Sequence, residues 1–459
     1  MTMQQQFERM QAAARSNLVT DLATRKDRLN RLERLLLDNQ DALIEAIDAD
    51  FGNRSATETK AVEFLPLILM LRYSRRRLRR WMRPERCGVH WLFMPSVAKV
   101  MPQPLGVIGI MSPWNYPLFL SIGPLIDALA AGNRAMIKPS EVTPQTSDLL
   151  QQLFAEQFAA DEVTVITGDV DASVSFSKLP FDHLIFTGST AVGRHVAAAA
   201  AVNLTPVTLE LGGKSPVILG EDYPLKKAAA QLAYGRILNA GQTCVATEYV
   251  LAPKDKLAEL GTLIQAQMAK KLPDMGVRFA AIVSDKYYQR QIDMLAEIDG
   301  RAEILVHGQD DPKARKLAPR IVIDPPDGSK ITKEEVFGPI LFLKGYDNLD
   351  DAIAYVTARP RPLSLYCFTN RAATRRRVLT ETISGNVNVN GAISHISQPT
   401  LPFGGVGESG YGSYHGHAGF QRFSHMKAVH QLGSVDPLLL FGPPWARLTD
   451  FVTKFMLRR

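Results

Sequence analysis

The stretch Gly106-Val107-Ile108-Gly109-Ile110-Met111-Ser112-Pro113-Trp114-Asn115-Tyr116-Pro117 decides how the chain folds. Gly106 to Pro113 reads as a strand apolar at consecutive positions, which suits a strand covered on both faces rather than one face wetted by solvent. Working outward, the same pattern recurs as strands over Arg134 to Ile137, Glu162 to Thr167 and His183 to Phe186. Helical stretches over Ile122 to Ala131 and Pro144 to Phe158 separate the first of these. Covered strands alternating with helices predict an α/β fold with a parallel sheet, whose ligands sit at the carboxyl ends of the strands. Ser112 to Pro117 is a loop at such an end. A second alternating region runs from Pro216 to about Asn390, with helices over Lys226 to Leu238 and Lys256 to Met268. Its strands fall at Tyr249 to Ala252, Ile340 to Phe342 and Ser364 to Phe368. Two such regions predict two α/β domains with a cleft between them.

Upstream, residues 7 to 82 read as helices. Leu29, Leu32, Leu35 and Leu36 keep helical spacing, and Leu43, Ile44 and Ile47 continue it after Asp38-Asn39. A break at Phe51-Gly52-Asn53 precedes a helix through Glu63 to Trp81, which Pro84 ends. Val89 to Met101 then reads as a hairpin-like insertion.

At 459 residues, with 46% hydrophobic and 22% charged residues, the chain has the composition of a soluble globular protein. Three cysteines, Cys87, Cys244 and Cys367, cannot build a disulfide framework, and MTMQQQFERM has no secretory pattern. No run of ~18 apolar residues is long enough to span a bilayer. A cytoplasmic location is expected. Part of the +7 net charge is local: eight of the fifteen residues from Arg72 to Arg86 are arginine. Leu71, Leu78 and Trp81 share one helical face there, so a packed face with solvated arginines is expected rather than a nucleic-acid arm, which would need aromatic platforms or a recognition helix. The last segment, 432–459, is apolar and basic. It predicts either a helix docked on the body through Trp445, Leu448, Phe451, Val452, Phe455 and Met456, or an interfacial membrane helix.

Several short motifs carry chemistry. Asn239-Ala240-Gly241-Gln242-Thr243-Cys244 places a lone thiol in a turn whose backbone N–H groups lie close to the sulfur. It is either a nucleophile or a buried structural cysteine. Asn115 offers an amide donor to an oxyanion, worth ~3 kcal/mol where one forms. Lys138-Pro139-Ser140-Glu141 follows a strand and can bond ribose hydroxyls or phosphate. Gly188-Ser189-Thr190-Ala191-Val192-Gly193 joins a strand to an alanine-rich helix, where free N–H groups suit a pyrophosphate. Glu210, in an apolar run before Gly212-Gly213-Lys214, is a general-base candidate if desolvated. Glu335 and Phe337, in Lys333-Glu334-Glu335-Val336-Phe337-Gly338-Pro339, suit a ribose and a flat ring. Leu401-Pro402-Phe403-Gly404-Gly405 is a glycine-rich loop with one aromatic.

Together and in this order the pieces PWN, KPSE, FTGSTAVG, LELGGK, GQTC, EEVFGP and LPFGG resemble the aldehyde dehydrogenase superfamily over essentially the whole chain. TPVTLELGGKSP and PTLPFGGVGESGYGSYHG look most like its class 3 and coniferyl aldehyde dehydrogenase-like branch. The resemblance implies a Rossmann-type cofactor domain (1–82 and 104–209), an α/β catalytic domain (210–390) and a small bridging β region (83–103 and 391–431), to which the run GNVNVNG, Gly385 to Gly391, would also contribute. It implies NAD or NADP as cofactor, an aldehyde as substrate, a homodimer, and a tail that shapes substrate access or meets membrane. By the same resemblance Cys244 would be the nucleophile, Asn115 the oxyanion donor and Glu210 the base that activates water. Lys138 and Glu141 would hold the adenosine ribose, Gly188 to Gly193 would face the pyrophosphate, and Glu335 with Phe337 the nicotinamide ribose. Trp114 would line the cofactor space, and Tyr116 and Phe403 the substrate space. The expected reaction is oxidation of an apolar aliphatic or aromatic aldehyde to its acid through a thiohemiacetal and a thioester.

Residues 276 to 288 depart from the family's usual glycine-proline run. Three other readings compete. A coenzyme A-acylating relative would typically lack the glutamate at 210. A cysteine hydrolase needs a histidine partner for Cys244. A non-enzymatic membrane-associated protein leaves the motifs unexplained. No metal is expected, since His415 and His417 lack an evident third ligand.

Overall fold

A computed structural model describes residues 1–276, 278–436, 438–439, 442–443, 445 and 447–457. The chain folds around three sheets. The first has six strands in the order Gly410–Tyr411, Val207–Leu211, His183–Gly188, Val107–Met111, Arg134–Lys138 and Val163–Val165. All pairings are parallel except the two-residue edge strand Gly410–Tyr411. Every residue of Val107–Met111 is buried, as its unbroken apolar run requires. The chain leaves this strand toward Val163–Val165, then returns to its other side at His183–Gly188. That reversal opens a crevice at the carboxyl ends of the two strands, the place where such sheets take ligands. This is a Rossmann-type domain.

The second sheet has seven strands, in the order Glu303–Val306, Arg320–Ile323, Ile340–Tyr346, Tyr249–Pro253, Pro216–Leu219, Ser364–Phe368 and Asn386–Val389. Only the outermost pair, Glu303–Val306 with Arg320–Ile323, is antiparallel. The run GNVNVNG, expected in the bridge, instead adds Asn386–Val389 in parallel to Ser364–Phe368, a correction to the sequence reading. Its polar alternation reflects an edge position, with every residue half-buried.

The third sheet is antiparallel and joins Glu85–Cys87, Val97–Pro104 and Ser424–Gln431. The predicted hairpin is thus completed by a strand more than 300 residues downstream, a pairing no local pattern could reveal. The segment between residue 391 and this last strand does not join the third sheet; Gly410–Tyr411 pairs with Val207–Leu211 in the first.

Helices cover the first sheet. The helix Pro117–Ala131 is buried at every position and begins five residues before the expected Ile122. Pro117 suits a first helical turn because its missing N–H needs no partner there. Glu63, from a distant helix, accepts the N–H groups of Leu118 at 2.8 Å and Phe119 at 2.9 Å. In the arginine-rich helix Leu65–Trp81, Leu71, Leu78 and Trp81 are buried as expected, and Arg72 and Arg75 clasp Glu33.

The tail departs from the docked-helix expectation. Arg447–Met456 is helical but buries none of its residues, and Trp445, Phe451 and Phe455 are 75%, 70% and 65% exposed. Leu440, Phe441, Pro444 and Ala446 of that segment lie outside the described residues. Among the described residues no helix is long and apolar enough to cross a membrane.

Candidate active site

The carboxyl ends of the first sheet face the leading ends of two strands of the second. Cys244 lies five residues before Tyr249–Pro253, and Phe337 three before Ile340–Tyr346. The turn before Cys244 is set by three consecutive residues with positive φ: Asn239 (49°), Ala240 (49°) and Gly241 (73°). A Cβ on Gly241 would sit 2.2 Å from the Gly338 carbonyl oxygen, so only glycine fits. Gln242 is fully buried and holds the turn from inside. Its amide donates to the carbonyls of Asn239 at 3.1 Å and Ala281 at 3.0 Å, and its Oε1 accepts the Val283 N–H at 3.0 Å.

Cys244 is half-buried and lines two cavities. The first, about 280 Å³, is walled by Trp114, Asn115, Thr187, Gly188, Ser189, Glu210, Gly212, Tyr287, Arg290, Glu335 and Phe337. The second, about 250 Å³, lies on the other side of the sulfur. It is mostly apolar: Val62, Pro66, Tyr116, Phe119, Leu120 and Ile393 contribute, with Ser394, Ser397 and Gln398 as polar members.

The structure thus brings Cys244, Glu210, Asn115, Trp114, Gly188, Ser189, Glu335 and Phe337 into one space. Asn115 Nδ2 donates to the Gln242 carbonyl at 3.1 Å, which keeps its amide beside the cysteine turn. Ser189 caps the helix Thr190–Ala201, its hydroxyl accepting the Val192 N–H. Thr190 faces a neighbouring cavity with Lys214 and Glu335, and Ala191 and Val192 lie exposed in the first turn. Gly193 is buried, where a Cβ would press on Leu211 at 2.6 Å. Lys138 and Glu141 sit one strand further along the same edge, at the end of Arg134–Lys138. Lys138 is buried with Nζ 2.8 Å from the Pro139 carbonyl, and Glu141 is exposed.

Tyr116 lines the second cavity as expected, its hydroxyl 2.7 Å from Thr243 Oγ1. Phe403 does not. It lines neither cavity at Cys244 but stacks on His415, 5.4 Å between centroids, and packs against His395. Phe403 of the glycine-rich loop is thus packed among His395, Tyr414 and His415.

Electrostatics separate the three carboxylates near the sulfur. Burial raises Glu210 well above its usual value, and both its oxygens lack hydrogen-bond partners. Burial, with Glu248 nearby, pushes Glu335 up to about 8, and its Oε1 is likewise unpartnered. Burial works against the Glu248 carboxylate too, yet Arg236 and Lys214 hold it at about 2. The Cys244 thiol is pushed up to about 12 by burial and then by Glu335 and Glu210. In this setting the sulfur is protonated at neutral pH.

Sequence reasoning missed Glu248, which ties three motifs together. It accepts from Lys214 at 3.0 Å, Arg236 at 2.8 Å and the Val336 N–H at 2.8 Å. Its signal was a lone carboxylate in the apolar run after Cys244. Tyr287 was missed as well. It packs on Trp114 at 5.0 Å from within the stretch 276 to 288 that departs from the family pattern. Thr187 and Arg290 of the first cavity, and Tyr234 and Ile393 of the second, carried no signal beyond ordinary helix or strand residues.

A Rossmann-type crevice facing a cysteine, an amide and an unpartnered carboxylate has the form of a cofactor-dependent enzyme's site. The aldehyde dehydrogenase family model matches residues 2–429, and the chain belongs to that family. A probable coniferyl aldehyde dehydrogenase of Pseudomonas aeruginosa is 46% identical over 455 residues, 98% of this chain and 96% of that protein. The dimeric NADP-preferring aldehyde dehydrogenase of Mus musculus is 36% identical, over 92% of each chain. The substrate-bound structure of Staphylococcus aureus AldH matches with a TM-score of 0.95 at 33% identity, covering 99% of this chain and 100% of that one. The protein is an NAD(P)-dependent oxidoreductase acting on aldehydes.

The first cavity fits the nicotinamide end of such a cofactor. It offers the strand-to-helix junction at Gly188 and Ser189, the aromatic faces of Trp114 and Phe337, and the unpartnered Oε1 of Glu335 as an acceptor for a hydroxyl. Gly212 keeps the space open, since a Cβ there would meet Glu335 Oε2 at 2.1 Å.

Proposed function

We propose that Cys244 is the nucleophile and that the enzyme oxidises a flat, apolar aldehyde of the coniferyl aldehyde type to its carboxylic acid. The observation that carries this reading is the placement of one sulfur between a cofactor-shaped cavity and an apolar one. The aldehyde enters past Val62, Phe119 and Ile393, with its carbonyl carbon at the sulfur. Cys244 attacks that carbon, and Asn115 Nδ2 with the Cys244 N–H stabilises the oxyanion of the thiohemiacetal. Trp114, Glu335 and Phe337 would hold the nicotinamide, which would supply a positive charge that favours the thiolate, the thiol proton passing to solvent, and a hydride acceptor for the former aldehyde carbon. A thioester on Cys244 remains. Glu210, unpartnered and desolvated, takes a proton from the water that attacks this thioester, and the acid leaves as the thiol re-forms. Lys138 and Glu141 hold the adenosine ribose, and Gly188 to Gly193 face the pyrophosphate.

The polar members Ser394, Ser397 and Gln398 suit a phenol or methoxy group at the far end of an aromatic substrate. In a panel of aldehydes assayed with NAD and with NADP, kcat/KM should be highest for phenylpropenals and lower by roughly tenfold or more for acetaldehyde, since each buried apolar group adds transition-state affinity. Best activity on short polar aldehydes would overturn the substrate assignment.

We further propose a cytoplasmic homodimer, with the three-stranded sheet as its bridge, and a tail that meets anionic membrane. Exposed Trp445, Phe451, Phe455 and Leu457 beside Arg447 and Lys454 support the membrane contact. The protein should co-sediment with phosphatidylserine vesicles more than with phosphatidylcholine ones. A variant with Trp445, Phe451 and Phe455 changed to serine should lose this and stay a dimer by sedimentation velocity. Equal binding by both proteins would remove the tail from the account, and a monomer would remove the dimer.

A further inference from the structure

We infer that Arg54 is a positioning residue for the oxyanion donor, an inference that rests on the reading of Asn115 given above. Arg54 follows the turn after helix Gln40–Phe51 and is 1% exposed, deeper than almost any charged group in the chain. Its Nη1 lies 2.9 Å from Glu63 Oε1 and donates to the Asn115 carbonyl at 3.2 Å. The guanidinium lies against the rings of Phe51 and Tyr116, 4.9 and 5.0 Å from their centroids.

The Asn115 carbonyl accepts a second bond, from Asn239 Nδ2 at 2.9 Å. Asn239 belongs to the cysteine turn, and its own N–H is held by Glu58. One carbonyl is therefore pinned from the N-terminal helices and from the catalytic turn together. Pinning it fixes the peptide plane after Asn115 and with it the direction of the side-chain amide. Glu63, the partner of Arg54, uses its other oxygen on Leu118 and Phe119, so a single buried ion pair holds residues 115 to 119. A planar guanidinium can bridge a carboxylate and a carbonyl at once, which a lysine ammonium does with poorer geometry. None of these groups lines the first cavity except Asn115, so cofactor binding is not engaged.

The test is a double-mutant cycle read by the pre-steady-state burst of NAD(P)H formation, which reports the step in which the oxyanion forms. Replacing the pair together, Arg54→Met with Glu63→Gln, removes both charges of the ion pair at once and leaves Glu58, which Arg54 also faces, to take up a proton. It should slow the burst about tenfold with KM for the cofactor within about twofold, and Arg54→Lys should recover it to within about threefold. In an Asn115→Ala background the same pair of changes should add less than about twofold, because the positioned group is already gone. If the losses multiply, or if KM for the cofactor rises with them, Arg54 does not act through Asn115. Failure of the Met/Gln protein to fold leaves Arg54→Lys to be cycled against Asn115→Ala, where a slowed burst that Asn115→Ala does not absorb is the same negative result. Should Asn115→Ala by itself leave the burst unchanged, the oxyanion reading of Asn115 fails instead.

Discussion

Replacing Cys244 by alanine is expected to lower aldehyde-dependent reduction of NAD(P) by about 10⁴-fold or more, because removing a nucleophile that acts as a unit with its partners forfeits nearly the whole catalytic advantage. The fold should survive. Cys244 is half-buried, its sulfur faces the backbone N–H groups of Cys244 and Val245, and the turn around it is held by Gln242, Asn239 and Gly241. The midpoint of denaturant unfolding should therefore move by less than about 1 kcal/mol-equivalent. Cofactor binding, followed by quenching of Trp114 fluorescence, should persist because the first cavity keeps its other walls. Retained aldehyde oxidation in this variant would sink the mechanism.

Glu210→Gln should separate the two halves of the reaction. Acylation and hydride transfer do not use this carboxylate, so a burst of NAD(P)H close to one per active site should remain. Turnover after the burst should fall by roughly 10²–10³-fold, the usual worth of a positioned general base. The pH profile gives an independent reading. Burial raises the Glu210 pKa above its ordinary 4.5, and a base works only when deprotonated. Steady-state turnover of the parent enzyme should then climb with pH on a limb displaced above the ordinary carboxylate range. That limb should vanish in Glu210→Gln, whose residual turnover would follow hydroxide alone. A variant that loses the burst together with turnover would place Glu210 in acylation instead.

The Glu210 carboxylate shows why the site needs both domains. It belongs to the strand Val207–Leu211 of the first sheet, while the sulfur it is proposed to serve precedes a strand of the second. Gly212 and Gly213 carry the chain between the sheets at this point, and Glu248 draws Lys214 and the Val336 N–H together just behind it. Opening the two sheets by even a small angle would part the base from the thioester, and a misplacement of ~1 Å can cost ~10²-fold.

How much of this was legible beforehand depends on the range of the interactions concerned. The strands Val107–Met111 and His183–Gly188 were readable because a strand buried on both faces must be apolar throughout. Cys244, Glu210 and Asn115 could be singled out as candidates because each sits in a short motif whose residue types suit the proposed chemistry. The start of helix Pro117–Ala131 was not readable, since its first N–H groups are taken by Glu63, more than fifty residues away. The packing of Phe403 on His415 was not legible, because an aromatic in a glycine-rich loop looks the same from sequence whatever ring it meets. The tail helix was expected to dock because its apolar stripe resembles that of any packed helix. Whether a stripe is covered depends on a surface elsewhere in the chain, and among the described residues none buries Arg447–Met456.

The sequence by itself determined the α/β class, the succession of covered strands and the candidates for the reactive groups, all of which follow from local periodicity and residue chemistry. Only the tertiary structure decided that the sulfur lines two cavities, that Glu248 meets Lys214, Arg236 and the Val336 N–H, that Arg54 meets Glu63 and the Asn115 carbonyl, and that Asn386–Val389 extends the second sheet rather than the third. These depend on contacts between residues tens to hundreds of positions apart, where burial and ion pairing act across space and leave no pattern along the chain.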